Sequence, residues 1–97
     1  MEIARIFRCN GWTLAQYDEL IERMELGEGS APGVLFHWAA ATDDGVLAVD
    51  VYESRETADR LAGEKIAPLC GELGLAMPDV EEHSADRILT PANAPAT

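Results

Sequence analysis

Three side chains in two neighbouring apolar segments have the chemistry of a proton-transfer site. His37 lies in the first segment, and Asp50 and Tyr52 lie in the second. A carboxylate next to an imidazole favours the charged imidazolium or holds the neutral ring in one tautomer. We therefore expect His37 to act as a general base or acid near neutral pH, with Asp50 orienting its ring. Tyr52 is expected to donate a hydrogen bond to an oxyanion that develops on the substrate.

A β-hairpin is the element that must bring these side chains together. The two segments are separated by Asp43-Asp44-Gly45, and an Asp-Gly pair between two apolar runs is a strong short-range indication of a hairpin. With a turn centred on Asp44-Gly45, His37 lies directly opposite Tyr52, and Asp50 is a diagonal neighbour of His37. This prediction depends on the register, because a shift of one residue moves a side chain to the other face of the hairpin.

The face of the hairpin that carries His37 is otherwise built of small side chains. Alanines leave volume beside the polar groups, and an apolar pocket with a few convergent polar groups is typical of a ligand site. We therefore predict that this face binds an apolar small molecule. The residues expected to contact it are Leu35 and Ala39 on the hairpin and Trp12 and Tyr17 at the start of the first helix.

A structural role is the alternative for the three polar side chains. They then satisfy one another's hydrogen bonds, or bind Arg5 or Arg8 of the first strand, in a network without chemistry. The second histidine, His83, is flanked by acidic residues in the segment EEHS, and we expect it to lie on the surface.

The order of predicted elements is β-α-β-β-α-β, which is the ferredoxin-like pattern. The elements are a strand over 2–9, a helix from Leu14, strands over 34–42 and 46–53, a second helix from Ser54 to Leu73 with a break near Gly63 and Pro68, and a strand over 80–89. A capping box of Thr13 and Gln16 opens the first helix, and its apolar stripe consists of Leu14, Tyr17, Ile21 and Met24. Right-handed crossovers place both helices on one face of a four-stranded antiparallel sheet. The prediction is one α+β domain over residues 1–89 with a loosely ordered tail over 90–97.

Two helices cover only one face of such a sheet, and whichever face they take, the other still shows large apolar side chains. The hairpin face opposite to His37 carries Phe36, Trp38, Ala40, Leu47, Val49 and Val51. An apolar patch of this size exceeds what a soluble monomer usually exposes. We therefore predict a homodimer that packs sheet against sheet.

The charge balance argues against two classes of partner. The 97 residues carry 7 Lys+Arg against 18 Asp+Glu, a formal net charge of −11. Because no run of basic residues could neutralise phosphate groups, neither nucleic acid nor an anionic membrane surface is expected as a partner. The N-terminus has no signal-peptide pattern, and the longest nearly uncharged stretch, over 29–42, is too short to span a membrane. We expect a cytoplasmic protein.

No metal and no organic cofactor is predicted. The His, Cys and carboxylate residues lack the spacing of a zinc site, and no glycine-rich phosphate loop is present. Cys9 and Cys70 are expected to be reduced thiols in the core.

Several segments resemble the dimeric α+β-barrel superfamily, in particular the antibiotic-biosynthesis-monooxygenase-like small proteins. They are Pro32-Gly33 before the second strand, the passage VYESRE over 51–56, and the region of Pro68. The resemblance covers residues 2–89. It implies a ligand held between the sheet and the helices of each subunit. Relatives of the monooxygenase type often carry a histidine in the second helix, where this chain has Leu61-Ala62-Gly63, and this departure argues against haem degradation or a standard quinol monooxygenase.

The predicted function is a cofactor-independent enzyme of secondary metabolism or catabolism. The resemblance implies a cyclase, an isomerase or an oxygenase, acting on an apolar, aromatic or polyketide-like substrate, and His37 supplies the proton transfer. The alternative is a non-catalytic small-molecule-binding or stress-related dimer in which the histidine is structural. A third hypothesis is an accessory protein whose acidic helices bind a basic partner.

Overall fold

The computed structural model describes residues 1–24 and 32–88. The strands are β1 (Ile3–Asn10), β2 (Val34–Thr42), β3 (Gly45–Tyr52) and β4 (Asp79–Ser84), and the helices are α1 (Leu14–Arg23), α2 (Arg55–Leu61) and α3 (Ala67–Leu73). The predicted tail over 90–97 and the predicted end of the domain at Leu89 lie outside the described residues. No helix in the described ranges is long and apolar enough to span a membrane.

The four strands form one antiparallel sheet in the order β2-β3-β1-β4. The helices pack on one face, where Phe7 and Cys9 of β1 and Ala48 of β3 share a buried cluster with Leu20 of α1 and Cys70 of α3. The predicted ferredoxin-like α+β arrangement is confirmed. Both cysteines are buried free thiols, as expected, and burial raises the pKa of Cys9 to about 11.

The sheet face away from the helices, here called the open face, is apolar at its centre. The large side chains of the open face are Ile6, Phe36, Trp38, Leu47, Val49 and Val51, which the strand pairing places on one side. Phe36 and Trp38 are each 45% exposed. The predicted membership of the two hairpin faces therefore agrees with the structure.

Helix α1 begins where the capping box predicts. The Thr13 hydroxyl accepts a hydrogen bond from the Gln16 backbone N–H at 3.1 Å, and the Gln16 side chain accepts one from the Thr13 backbone N–H at 2.8 Å. The predicted apolar stripe needs one correction, because Leu14 is 43% exposed and Leu20 is buried beside Tyr17. Leu14 is the first residue of the helix.

The second helical region does not break near Gly63 and Pro68, which corrects the prediction. A π-helical segment, Ala62–Ile66, joins α2 to α3. The Ala67 backbone N–H donates to the carbonyl of Ala62, five residues back, so the helical path continues with a wider turn. Because Pro68 has no backbone N–H, it needs no acceptor in the turn before it.

Strand β4 is shorter than the predicted 80–89. It ends at Ser84, which pairs with Ile3, the first residue of β1. The strand ladder of β4 ends there because β1 begins at Ile3, and just beyond it the Ala85 backbone N–H donates to the Glu2 carbonyl at 3.0 Å.

Gly45 occupies a position where a side chain does not fit. Its φ is +152°, and an added Cβ would lie 2.2 Å from the carbonyl oxygen of Cys9. We expect Gly45→Ala to lower the free energy of unfolding by about 3 kcal/mol, since backbone atoms must move apart. Urea-induced unfolding measures the change.

The matched control is Gly71→Ala in α3, where an added Cβ meets nothing within 4 Å. Alanine favours a helix over glycine, so this variant should be equally stable or more stable by up to about 1 kcal/mol. Equal stability of the Gly45 variant and the control would contradict the close approach of β3 to β1.

Candidate active site

The hairpin register differs by two residues from the predicted one. Thr42 pairs with Gly45, so the turn consists of Asp43 and Asp44 alone. As a result His37 lies directly opposite Asp50 and not opposite Tyr52, which corrects the predicted pairing. A shift of two residues leaves every side chain on its face, so His37 and Asp50 still project together towards the helices.

Four side chains form one continuous chain of hydrogen bonds. His37 Nδ1 binds one carboxylate oxygen of Asp50, and the Tyr52 hydroxyl donates to the other at 2.7 Å. His37 Nε2 lies 2.5 Å from the hydroxyl oxygen of Tyr17. Because a carboxylate only accepts, Nδ1 carries the proton in the neutral ring, and the Tyr17 hydroxyl then donates to Nε2. The rings of Tyr17 and His37 are nearly parallel, with an interplanar angle of 5°.

The imidazole of His37 is a group that can change charge near neutral pH. The hydrogen bond to Asp50 raises the pKa of His37 above the usual 6.5, although burial opposes this shift. Burial raises the pKa of Tyr17 and of Tyr52, and the nearby charge of Asp50 adds to both shifts. Both phenols therefore keep their protons under conditions in which His37 titrates.

The chain of hydrogen bonds borders a cavity of about 380 Å³ between α1 and the sheet. Its walls are mainly apolar and include Trp12, Leu20, Met24, Leu35 and Leu61. The hydrogen-bonded groups that line it are Tyr17, His37 and Asp50. A cavity of this volume with polar groups on a mainly apolar wall suits an apolar ligand with one polar end.

The predicted ligand contacts lie at the cavity with one exception. Leu35, Trp12 and Tyr17 line it, whereas Ala39 packs against the buried core instead. Leu35 reaches the cavity at a register shift between Val34 and Phe36, where the strand pairing is locally irregular. The indole N–H of Trp12 donates to the carbonyl of Ala76 at 2.9 Å, which holds the ring in the wall.

The predicted oxyanion role of Tyr52 does not agree with its position. Tyr52 is 1% exposed, it is absent from the cavity wall, and its hydroxyl donates to Asp50. The sheet packs it beside Ile3 and Ala58, away from a ligand. Through this hydrogen bond Tyr52 holds the carboxylate of Asp50 in position.

The structure also gives Arg5, Arg8 and His83 other partners. Arg5 binds Asp59 and Glu82 at 2.6 and 2.9 Å, so it takes no part in the His37 cluster. Arg8 binds Glu81 at 3.2 Å, and His83 Nε2 lies 2.5 Å from the same carboxylate. His83 is exposed on β4, as predicted.

Sequence reasoning missed the contact between Tyr17 and His37. Tyr17 is predicted to contact the ligand, and its place four residues after the N-cap puts it on the apolar stripe of α1. A buried tyrosine normally finds a hydrogen-bond partner, which was the available signal for a polar contact. The identity of that partner depends on how α1 lies across β2.

Comparison with solved structures gives consistent matches over nearly the whole chain. SnoaB, a cofactor-independent oxygenase from Streptomyces nogalater, superposes with a TM-score of 0.64 at 18% identity, over 91% of this chain and 96% of that one. A protein from Chloroflexus aurantiacus assigned as an antibiotic biosynthesis monooxygenase gives 0.59 at 20%, over 87% and 92%. The chain has the fold of the antibiotic-biosynthesis-monooxygenase-like proteins. The predicted resemblance is therefore confirmed as a likeness of fold.

A third matched structure contains a ligand. It is a monooxygenase from the gene ActVA-Orf6 of Streptomyces coelicolor in complex with nanaomycin D, and it matches with a TM-score of 0.53 at 23% identity, over 93% of this chain and 91% of that one. No protein-family model and no curated protein matches this chain.

Proposed function

We propose that this chain is a small-molecule enzyme that removes a proton from an apolar, aromatic or polyketide-like substrate. The substrate lies in the cavity between α1 and the sheet, and His37 takes up the proton. The observation that carries this proposal is the chain of hydrogen bonds from Tyr17 through His37 to Asp50 at the wall of a mainly apolar cavity.

The electrostatics of the cluster suit a base. Asp50 is 8% exposed, and its carboxylate stabilises the imidazolium that forms when His37 accepts a proton. The second hydrogen bond, from Tyr52, keeps the carboxylate in one orientation. Apolar walls strengthen these interactions because they keep water, with its high dielectric constant, away from the reacting groups.

An oxygenase reaction is the form of this chemistry that we propose. SnoaB is described as a cofactor-independent oxygenase, and the Streptomyces coelicolor monooxygenase binds nanaomycin D, so related folds serve this chemistry. When the deprotonated substrate itself reduces dioxygen, the protein needs to bind it and accept a proton, and no cofactor takes part. Cyclisation and isomerisation begin with the same proton removal.

Anthrone is a suitable probe because it is an apolar tricycle with one carbonyl group and an acidic CH₂ group opposite to it. Loss of a proton gives an aromatic anion, and its reaction with one dioxygen yields anthraquinone and one water. We expect the protein to accelerate dioxygen uptake and anthraquinone formation above the rate in buffer. Exchange of the CH₂ protons for deuterium under argon, followed by NMR, measures proton removal alone.

The outcomes of this experiment separate the hypotheses. Deuterium exchange without dioxygen uptake supports proton removal and points to a cyclase or isomerase. Binding of anthrone without exchange supports the non-catalytic binding protein. Failure of the protein to bind or exchange anthrone and its hydroxylated derivatives contradicts the proposed function.

We also propose that two copies of this chain pair through their open faces. The centre of the open face carries no charged side chain, and the ion pairs of Arg8 and His83 with Glu81 lie towards its β4 margin. Exposed Phe36 and Trp38 form an apolar patch rimmed by polar groups, which is typical of a protein interface. This proposal does not depend on the reaction.

A further inference from the structure

The hydroxyl of Tyr17 lies at the cavity end of the hydrogen-bond chain. Both nitrogens of His37 are already engaged, Nδ1 with Asp50 and Nε2 with Tyr17. Both oxygens of Asp50 are engaged as well, with His37 and Tyr52. The Tyr17 oxygen uses one hydrogen bond, keeps a free lone pair, and belongs to a residue of the cavity wall.

We propose that Tyr17 is the catalytic residue that contacts the substrate, and that His37 acts through it. This inference rests on the proposed function, since it names the atom that receives the substrate proton. His37 and Asp50 are then positioning residues, which hold the proton that Tyr17 gives up.

The proton moves in two coupled transfers. The substrate C–H or O–H proton passes to the Tyr17 oxygen while the hydroxyl proton of Tyr17 passes to His37 Nε2. The products are a substrate anion, a neutral Tyr17 and an imidazolium beside the Asp50 carboxylate, so one negative and one positive charge arise together. The new Tyr17 hydroxyl can then donate a hydrogen bond to the substrate anion.

The surroundings of Tyr17 favour the coupled route over a free tyrosinate. Burial and the charge of Asp50 raise the pKa of Tyr17, so an isolated anion at this position is unfavourable. The 2.5 Å separation between its oxygen and His37 Nε2 gives the hydroxyl proton a direct acceptor. The Tyr17 backbone N–H donates to the Thr13 carbonyl at 3.0 Å, which fixes the residue in the first turn of α1.

The test uses deuterium exchange of anthrone under argon with Tyr17→Phe, His37→Gln and the double variant. We expect Tyr17→Phe to lower the maximal exchange rate by about 100-fold or more, with little change in the half-saturating anthrone concentration. Because the two residues act as one unit, the double variant should be no slower than the slower single variant. Tyr52→Phe removes a hydroxyl that does not contact the cavity, so its loss should be smaller, less than about tenfold.

Three results overturn the inference, and they are distinguishable. If the wild-type protein exchanges anthrone and Tyr17→Phe matches it while His37→Gln does not, His37 contacts the substrate directly and the proposed function stands. If the wild-type protein does not accelerate exchange, the proposed function fails and the role of Tyr17 fails with it. If the loss of exchange rate in the double variant equals the product of the two single losses, Tyr17 and His37 do not act as one unit, which also contradicts the inference. Near-ultraviolet circular dichroism confirms that each variant is folded.

Discussion

Replacing His37 by glutamine is expected to slow proton removal from anthrone by about 100-fold or more, the range that general acid–base catalysis contributes. Glutamine can still donate a hydrogen bond to Asp50, so the carboxylate keeps a partner and the fold should persist. It cannot accept a proton at neutral pH, and the chain of transfers therefore ends at Tyr17. The measurement is the rate of deuterium exchange under argon.

The other histidine provides the matched control. His83 is exposed on β4 and binds Glu81, away from the cavity. His83→Gln should leave the exchange rate within about twofold, since surface substitutions usually change little. Equal exchange rates in the two variants would contradict a role of His37 in proton removal.

The pH dependence of the exchange rate follows from the hydrogen bond between His37 and Asp50. This bond raises the pKa of His37 above 6.5. Because only the neutral imidazole accepts a proton, the exchange rate should rise with pH, and the midpoint of this rise should lie above pH 6.5. Asp50→Asn removes the charge that stabilises the imidazolium and should move the midpoint downwards. An unchanged midpoint would show that Asp50 does not set this pKa.

Folding stability should respond to the same titration with the opposite sign. Because the pKa of His37 is higher in the folded protein, its contribution to the free energy of unfolding is fully present below the unfolded pKa of about 6.5. That contribution is lost as the pH rises through the folded pKa. The difference in unfolding free energy between wild type and His37→Gln should therefore shrink from slightly acidic to alkaline pH.

Replacing Trp38 by glutamate is expected to dissociate the proposed homodimer. Trp38 stands at the centre of the open face, and tryptophan is among the residues that contribute most to interfaces. Loss of such a side chain costs about 2 kcal/mol or more, which corresponds to roughly 30-fold in the dimer dissociation constant. Burying a carboxylate there adds to the cost. Sedimentation equilibrium at micromolar concentration measures the change.

The matched control places the same charge at an equally exposed apolar residue outside the open face. Leu14 on α1 is 43% exposed, close to the 45% of Trp38. Leu14→Glu should leave the oligomeric state unchanged, because the helix side of the molecule takes no part in the proposed contact. A wild-type protein that sediments as a monomer at micromolar concentration would contradict the dimer.

Local and periodic signals in the sequence were sufficient to predict the helices and strands and to assign the side chains to the two faces of the sheet. The capping box at Thr13 predicted the start of α1, and alternation along the hairpin predicted which side chains share a face. These signals succeed because they depend on residues close in the chain and on the geometry of one strand or helix. They predicted the common face of His37 and Asp50 correctly.

The register of the hairpin required more than these signals. Asp43-Asp44-Gly45 permits a turn at either pair of residues, and the two registers differ by two positions, so both keep the same faces. Hydrophobic alternation cannot distinguish them. The choice is made where Gly45 passes the backbone of Cys9 in the neighbouring strand, which is a contact between residues distant in the chain.

The sequence by itself determined the order of the elements, the α+β fold class, and the placing of an imidazole and a carboxylate on one face of the sheet. Only the tertiary structure decided that Asp50 lies opposite His37, that Tyr52 is turned away from the cavity, and that Tyr17 reaches His37 Nε2. The physical reason is that each of these contacts depends on how one element packs against another, and side-chain periodicity within an element carries no information about that.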